Sequence, residues 1–156
     1  MKVLVADDHQ IVRKGLVALL KSEGDFDKVY EADGGQAAIK MAAELKPDVV
    51  VMDLHMPDML GTEATKTILA KNSKIRVIAL TTDSDKRFIK QAFQAGAMGY
   101  LLKDCALEEL VQAIQTVSTG KRYLSATVSN LIIDGYADES SGKIDAVKSP
   151  LTPRET

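Results

Sequence analysis

Cysteine is nearly missing from this chain: Cys105 stands alone among 156 residues, so no internal disulfide can form, which agrees with a reducing compartment. Aromatic residues are also scarce, at 4% with no tryptophan, so the core must be built from aliphatic side chains. No apolar run approaches the ~20 residues needed to cross a bilayer, and Met1-Lys2 leads directly into VLVADD without the apolar stretch of a signal peptide. The expectation is a cytoplasmic chain without a membrane span. An excess of positive charge is lacking too: a formal net charge of −2 gives no general attraction to nucleic acid, so any DNA contact must come from elsewhere. Internal repeats and low-complexity tracts are absent. The length suffices for one domain with a tail and would cramp two.

What is present is alternation. Residues 2–6 (KVLVA), 28–31 (KVYE), 48–53 (DVVVMD), 75–80 (IRVIAL) and 98–102 (MGYLL) are short and apolar, as strands covered on both faces should be, with the second the weakest. Between them run helical stripes: Val12, Leu16, Leu19, Leu20; Ala38, Met41, Ala42, Leu45; Phe88, Ile89, Ala92, Phe93; and Leu107, Leu110, Val111, Ile114. Pro47 precedes the third strand, Ser84 can cap the fourth helix, and Gly96 and Gly120 follow the fourth and fifth. Strict β–α alternation predicts an α/β fold, a five-stranded parallel sheet with helices on both faces. The flavodoxin-like order 2-1-3-4-5 is chosen here.

Beyond Gly120 the pattern weakens. Residues 125–136 (SATVSNLIIDGY) can form one more short helix, and 137–150 (ADESSGKIDAVKSP) read as a polar linker. In the closing SPLTPRET, Thr152 can cap a helix, Pro153 suits its first position, Glu155 completes a capping box and Leu151 supplies the staple. One turn of helix cannot stand alone. The expectation is a chain cut at the start of its next domain, divided as 1–122, a short helix and polar linker at 123–150 and a truncated opening at 151–156.

Ligands of open α/β sheets sit beyond the carboxyl ends of the strands. Asp7 and Asp8 close the first strand, Asp53 the third, Thr81 the fourth, and Lys103 follows the fifth. The chosen order makes these strands neighbours, so the side chains converge. Three crowded carboxylates repel one another unless a cation neutralises them, and an all-oxygen donor set favours Mg²⁺. Lys103 is a point-charge partner for phosphate and Thr81 a hydroxyl donor. Those are the parts for phosphoryl transfer to Asp53, giving an aspartyl phosphate. Taken singly, each residue has an ordinary alternative: a strand-end Asp caps a helix or turns the chain, and a Lys or Thr sits at the surface. Four such elements at the correct strand ends are harder to obtain that way.

VLVADDHQIVRKGL, PDVVVMDLHMPDMLGTEA, VIALTT and AGAMGYLLKD together resemble the receiver domain of bacterial two-component response regulators of the NarL/FixJ type, over about residues 1–122. The opening LTPRE resembles that of a LuxR-type helix-turn-helix domain. The resemblance implies a CheY-like fold and a phosphorylation-driven transcription switch. Asp53 would take the phosphoryl group from a sensor histidine kinase or from acetyl phosphate. Mg²⁺ would be held by Asp8, Asp53 and the His55 backbone carbonyl, with Asp7 acting through a water. Lys103 would pair with the phosphoryl oxygens, Thr81 would move toward them, and Tyr100 would swing inward behind it. DNA would be contacted only through the missing C-terminal domain.

Some residues depart from the pattern. His55 stands where Asn or Arg would surprise less; either it is simply exposed, or with Asp83 it modulates the lifetime of the acyl phosphate. His9 reads as a helix-entry residue and not as a metal ligand. Asp104 replaces a frequent proline and is expected to cap the fifth helix. A homodimer is left open, through the first and fifth helices or through the fourth-helix face. Two other functions also stay open: a stand-alone receiver acting by protein contact, and a Mg²⁺-dependent phosphohydrolase. The latter wants its nucleophile in an Asp-x-Asp motif after the first strand, where Asp7 and Asp8 are adjacent instead.

Overall fold

The computed structural model describes residues 1–23, 25–82, 86–125 and 129. Five parallel strands, β1 (Lys2–Ala6), β2 (Lys28–Ala32), β3 (Val49–Asp53), β4 (Arg76–Thr81) and β5 (Gly99–Leu102), form the sheet expected from the alternation. A two-residue strand, β6 (Tyr123–Leu124), adds itself to the far edge, and the order is β2-β1-β3-β4-β5-β6. The sequence reading stopped at five strands because two residues carry no period. What makes β6 is the return of the chain after Gly120 (φ 88°), which lets the Tyr123 N–H donate to the Met98 carbonyl at 2.9 Å. The sheet therefore runs on past residue 122.

The helices are α1 (Gln10–Glu23), α2 (Gly35–Leu45), α3 (Gly61–Lys71), α4 (Lys86–Gln94) and α5 (Ala106–Ser118). Successive side chains of a strand point to opposite faces, and both faces here are covered. Val3, Val5, Val49, Val51, Ile78, Leu80 and Leu101 pack with the buried residues of α1 and α5. Their neighbours Leu4, Ala6, Val50, Met52 and Val77 pack against α2 and α3. A third group gathers Tyr100, Ala79 and Leu54 with Ile89 and Ala92 of α4. Two covered faces are the reason the strand sequences are continuously apolar. The weakest strand by sequence, β2, is an edge strand and only its last residue, Ala32, is buried.

Four helical stripes agree with the buried residues, with one correction. In α5 the stripe begins at Ala106 and continues through Leu110, Ala113, Ile114 and Val117, while Leu107 is 59% exposed. Helix α3 offered no clear apolar stripe because it packs through Gly61, Ala64, Thr65 and Ile68, small or polar residues apart from the last. Gly96 turns the chain after α4 with φ 110°. Asp104 is not the residue before α5: it lies inside a short 3₁₀ turn, Lys103–Cys105, that precedes the helix. Ser84, Asp83, the short helix at 125–136, the polar linker at 137–150 and the 151–156 opening fall outside the described residues, apart from Ser125 and Ser129. Among the described residues no helix is long and apolar enough to cross a membrane.

The N-terminus of α2 is capped from a distance. Gly34 precedes the helix and has no side chain to offer; the Asp58 carboxylate instead accepts from the Gly35 and Gln36 N–H groups at 3.0 and 2.9 Å. These bonds hold the Asp58 carboxyl below its ordinary value of 3.8. A lowered folded-state value means the contribution is present above that value and fades as pH falls through the folded one. Asp58→Ala is expected to lower stability by roughly 1 kcal/mol at pH 7, less at pH 3, read by urea titration at both pH values.

Candidate functional site

Strand β1 ends at Ala6, so Asp7 and Asp8 emerge together at the carboxyl edge of the sheet; β3, its neighbour, ends on Asp53 itself. The next strand, β4, ends on Thr81, one residue beyond Leu80, the partner of Asp53 in the ladder. Lys103 follows β5, immediately after Leu102, which pairs with Thr81. The parallel register thus delivers the expected residues to one edge. Asp7 and Thr81 are fully buried and Asp53 is 1% exposed.

Lys103 is the centre of charge. Its ammonium donates to Asp53 Oδ2 at 3.1 Å and Asp7 Oδ1 at 3.2 Å. The Asp53 Oδ1 atom accepts from the His55 N–H at 3.2 Å, and Asp7 Oδ1 accepts from the His9 N–H at 2.8 Å. Arg13, on the first turns of α1, donates to the Asp7 carbonyl at 2.7 Å and pairs with Glu31 on β2, tying the turn after β1 to the edge strand. Sequence reasoning gave Arg13 no part, since a charged residue on a helix gives no sign of which carbonyl lies below it.

Opposite charge on Lys103 does not balance the carboxylates. Asp7 Oδ2 and Asp8 Oδ1 are buried with no hydrogen-bond partner among the described residues. Oxygen atoms without partners, in a site with more negative than positive groups, fit a hard divalent cation such as Mg²⁺. Burial raises the Asp53 carboxyl from 3.8 to about 7, the Asp7 charge adds to the rise, and Lys103 opposes it. Because the folded-state value is raised, this contribution to the stability of the metal-free protein is full below the ordinary value of 3.8 and is lost as pH rises from there to about 7. Asp53→Asn removes the ionisation. In metal-free buffer its advantage over the parent chain is expected to grow between about pH 4 and 7, by up to about 1.4 kcal/mol per pH unit, and to level off above pH 7, read from thermal melts.

The other expected residues divide. His9 does enter α1, its carbonyl accepting from the Arg13 N–H at 2.9 Å, and its ring also reaches the carboxylates. His55 is exposed, which is compatible with both readings left open for it, and its ring meets Phe88 of α4 edge-on at 5.0 Å. Tyr100, expected to swing inward, is fully buried here, its ring 6.4 Å from that of Phe93. Asp83 lies outside the described residues. Gly61, at the start of α3, sits on the end of β3: a Cβ there would come within 2.2 Å of the Asp53 carbonyl oxygen and 2.8 Å of the Leu54 Cα.

Comparison with known proteins agrees with this geometry. The sequence profile described as "Response regulator receiver domain" matches residues 3–115. "Response regulator GacA" of Pseudomonas syringae pv. syringae (strain B728a) is 43% identical over 129 residues, 83% of this chain and 60% of the relative. The chain therefore spans about three fifths of that protein's length. "Transcriptional regulatory protein LnrK" of Bacillus subtilis (strain 168) is 37% identical over 161 residues, 99% of this chain and 73% of the relative. Among solved structures, a LuxR-family two-component response regulator from Aurantimonas sp. SI85-9A1 superposes with a TM-score of 0.83 at 34% identity, covering 87% of this chain and 97% of that one.

Proposed function

This chain belongs to the response regulator receiver domain family, and on that premise we propose that it is a switch in which Asp53 is the phosphoacceptor. The observation that carries the reading is the buried Asp53 carboxylate, 3.1 Å from the Lys103 ammonium and beside two carboxylates with unpartnered oxygens.

The phosphoryl donor is a phosphohistidine of a sensor histidine kinase or a small acyl phosphate. An Asp53 carboxylate oxygen forms the new O–P bond as the donor's bond to phosphorus breaks, and the departing group takes the electron pair. Asp53 must be ionised to attack, and with its carboxyl near 7 a neighbouring cation is needed to hold it so. Lys103 supplies one and meets the equatorial oxygens as they arrive. Asp8 and Asp53, with the His55 carbonyl and with Asp7 through a water, would hold Mg²⁺, which supplies charge neutralisation of the phosphoryl oxygens. Thr81, buried at the end of β4, donates its hydroxyl to the phosphoryl group, and the fully buried Tyr100 packs behind it toward α4.

The chain acts stoichiometrically on itself and not as a turnover enzyme. Its output is transcriptional regulation in the cytoplasm through a C-terminal DNA-binding domain of the kind LTPRE resembles, a reading supported by the printed name of LnrK. Dimerisation through α1 and α5 or through the α4 face belongs to the same proposal. The test is the mass of the intact chain after incubation with Mg²⁺ and acetyl phosphate, beside Asp53→Ala.

A further inference from the structure

The two-residue strand β6 grips the helices on both sides of the sheet. Tyr123 and Leu124 pair in parallel with Gly99 and Tyr100 of β5, and alternation along the strand sends their side chains to opposite faces. On one face the Tyr123 hydroxyl donates to Glu109 Oε1 of α5, and the ring packs with the cluster that holds α1 and α5. On the other, Leu124 joins Tyr100, Ala79 and Leu54 with Ile89 and Ala92 of α4. Two positions before it, Arg122 places its guanidinium carbon 5.8 Å from the centre of the Phe93 ring, also on α4.

Tyr100 is thus held along two routes that both begin at β6. Leu124 is its neighbour across the ladder, and the Phe93 ring, 6.4 Å from the Tyr100 ring and tilted 33° to it, is the plate over which Arg122 lies. Tyr100 is fully buried, Phe93 and Leu124 are half-buried, and Arg122 is exposed. The same cluster contains Leu54, the residue after Asp53, and Ala79, two before Thr81. A tyrosine ring that left this cluster would uncover Leu124 and Phe93 together. A ladder of two residues is too short to persist without such packing on its faces.

We propose that Arg122 and Leu124 are positioning residues for the switch: they keep Tyr100 in its buried place and, through the same contacts, make the attachment of β6 depend on it. The chain runs on from Leu124 to residue 156, so a state set at Asp53 reaches that continuation through β6. Such coupling is reciprocal: what Tyr100 gives to β6, β6 gives back to Tyr100. This rests on reading Tyr100 as the residue that follows phosphorylation of Asp53, and the experiment keeps the two apart.

The readout is hydrogen exchange at the Tyr123 amide, which donates to the Met98 carbonyl at 2.9 Å, in chain with and without the phosphoryl group, whose presence is read by intact mass. Phosphorylation is expected to slow that exchange by about 10-fold or more. Arg122→Gln and Leu124→Ala are each expected to shrink the difference between the two states to less than about threefold. Tyr123→Phe, which loses the bond to Glu109 on the opposite face, is expected to speed exchange equally in both states and leave their ratio intact. Contacts with a structural role alone would move both states alike in all three variants. Exchange at the β3 amides reports that each variant is folded. A Tyr123 rate unaffected by phosphorylation, or a ratio preserved in Arg122→Gln and Leu124→Ala, overturns the assignment. The unphosphorylated chain supplies a separate arm: Phe93→Ala is expected to raise Tyr123 exchange about 10-fold while β3 stays protected. Absence of any phosphoryl gain at Asp53 would sink the reading beneath, and this arm then decides, since unchanged Tyr123 exchange in Phe93→Ala overturns the role of β6 as well.

Discussion

Intact chain incubated with Mg²⁺ and acetyl phosphate gains one phosphoryl group, and Asp53→Ala under the same conditions gains none. The expectation is nearly all-or-none because every other carboxylate at the sheet edge lacks what Asp53 has. Asp7 is fully buried and already accepts from His9 N–H and Lys103, and the Lys103 ammonium donates to Asp53 and Asp7. Asp53 combines a lysine at 3.1 Å with a raised carboxyl near 7 that a cation can bring back to the ionised form. Chelation of Mg²⁺ is expected to suppress the gain as thoroughly as the substitution does. Lys103→Ala, which leaves the nucleophile in place, should slow the reaction by about 10²–10³-fold, the usual effect of removing one donor to a developing anion. Mass spectrometry of all four samples reads the result. Phosphorylation that persists in Asp53→Ala would move the acceptor elsewhere and sink the reading.

The second large effect is expected at Gly61. Its Cα rests on the end of β3, and its N–H donates to the Leu54 carbonyl at 2.9 Å. A methyl at 2.2 Å from the Asp53 carbonyl oxygen and 2.8 Å from the Leu54 Cα meets backbone, which cannot swing aside as a side chain can. Either α3 moves away or the end of β3 does. Gly61→Ala should therefore destabilise the chain by on the order of 3 kcal/mol, near the upper range for overpacking, a fall of about 10 °C in Tm. It should also lower phosphorylation at temperatures where the variant is folded, because a displacement of ~1 Å in a reacting group can slow a reaction by about 10²-fold. Gly15→Ala is the matched control. It lies inside α1 with nothing within 4 Å of its added Cβ, so the gain in helix propensity should stabilise the chain by about 0.5–1 kcal/mol. Thermal melts and phosphorylation rates of the pair check both signs. Equal stability of Gly61→Ala and the parent would mean that the contact between α3 and β3 relaxes freely.

The strand reading succeeded for a reason that also explains its one omission. Val3 through Ala6 and Val49 through Met52 are buried on both faces, so their sequence is apolar without interruption and advertises a covered parallel strand. β6 has two residues at the sheet edge, too few for any pattern, and exists through backbone bonds to a strand already in place. Leu107 looked like core because it is apolar and seven residues from Ile114, yet the stripe that α5 buries starts at Ala106. Helical period determines which residues share a face, and does not determine where along that face the neighbouring layer stops.

The sequence by itself determined the alternation of strands and helices, and with it the edge to which Asp7, Asp8, Asp53, Thr81 and Lys103 are carried. Each of them ends or follows a strand, and strand ends of a parallel sheet share one side. Only the tertiary structure decided what surrounds them: Arg13 on the Asp7 carbonyl, Asp58 on the first N–H groups of α2, Gly61 against Asp53, and the His9 ring among the carboxylates. Those contacts join separate elements through loops. Their geometry follows from how the layers pack, a property of the whole chain that no local pattern of residues contains.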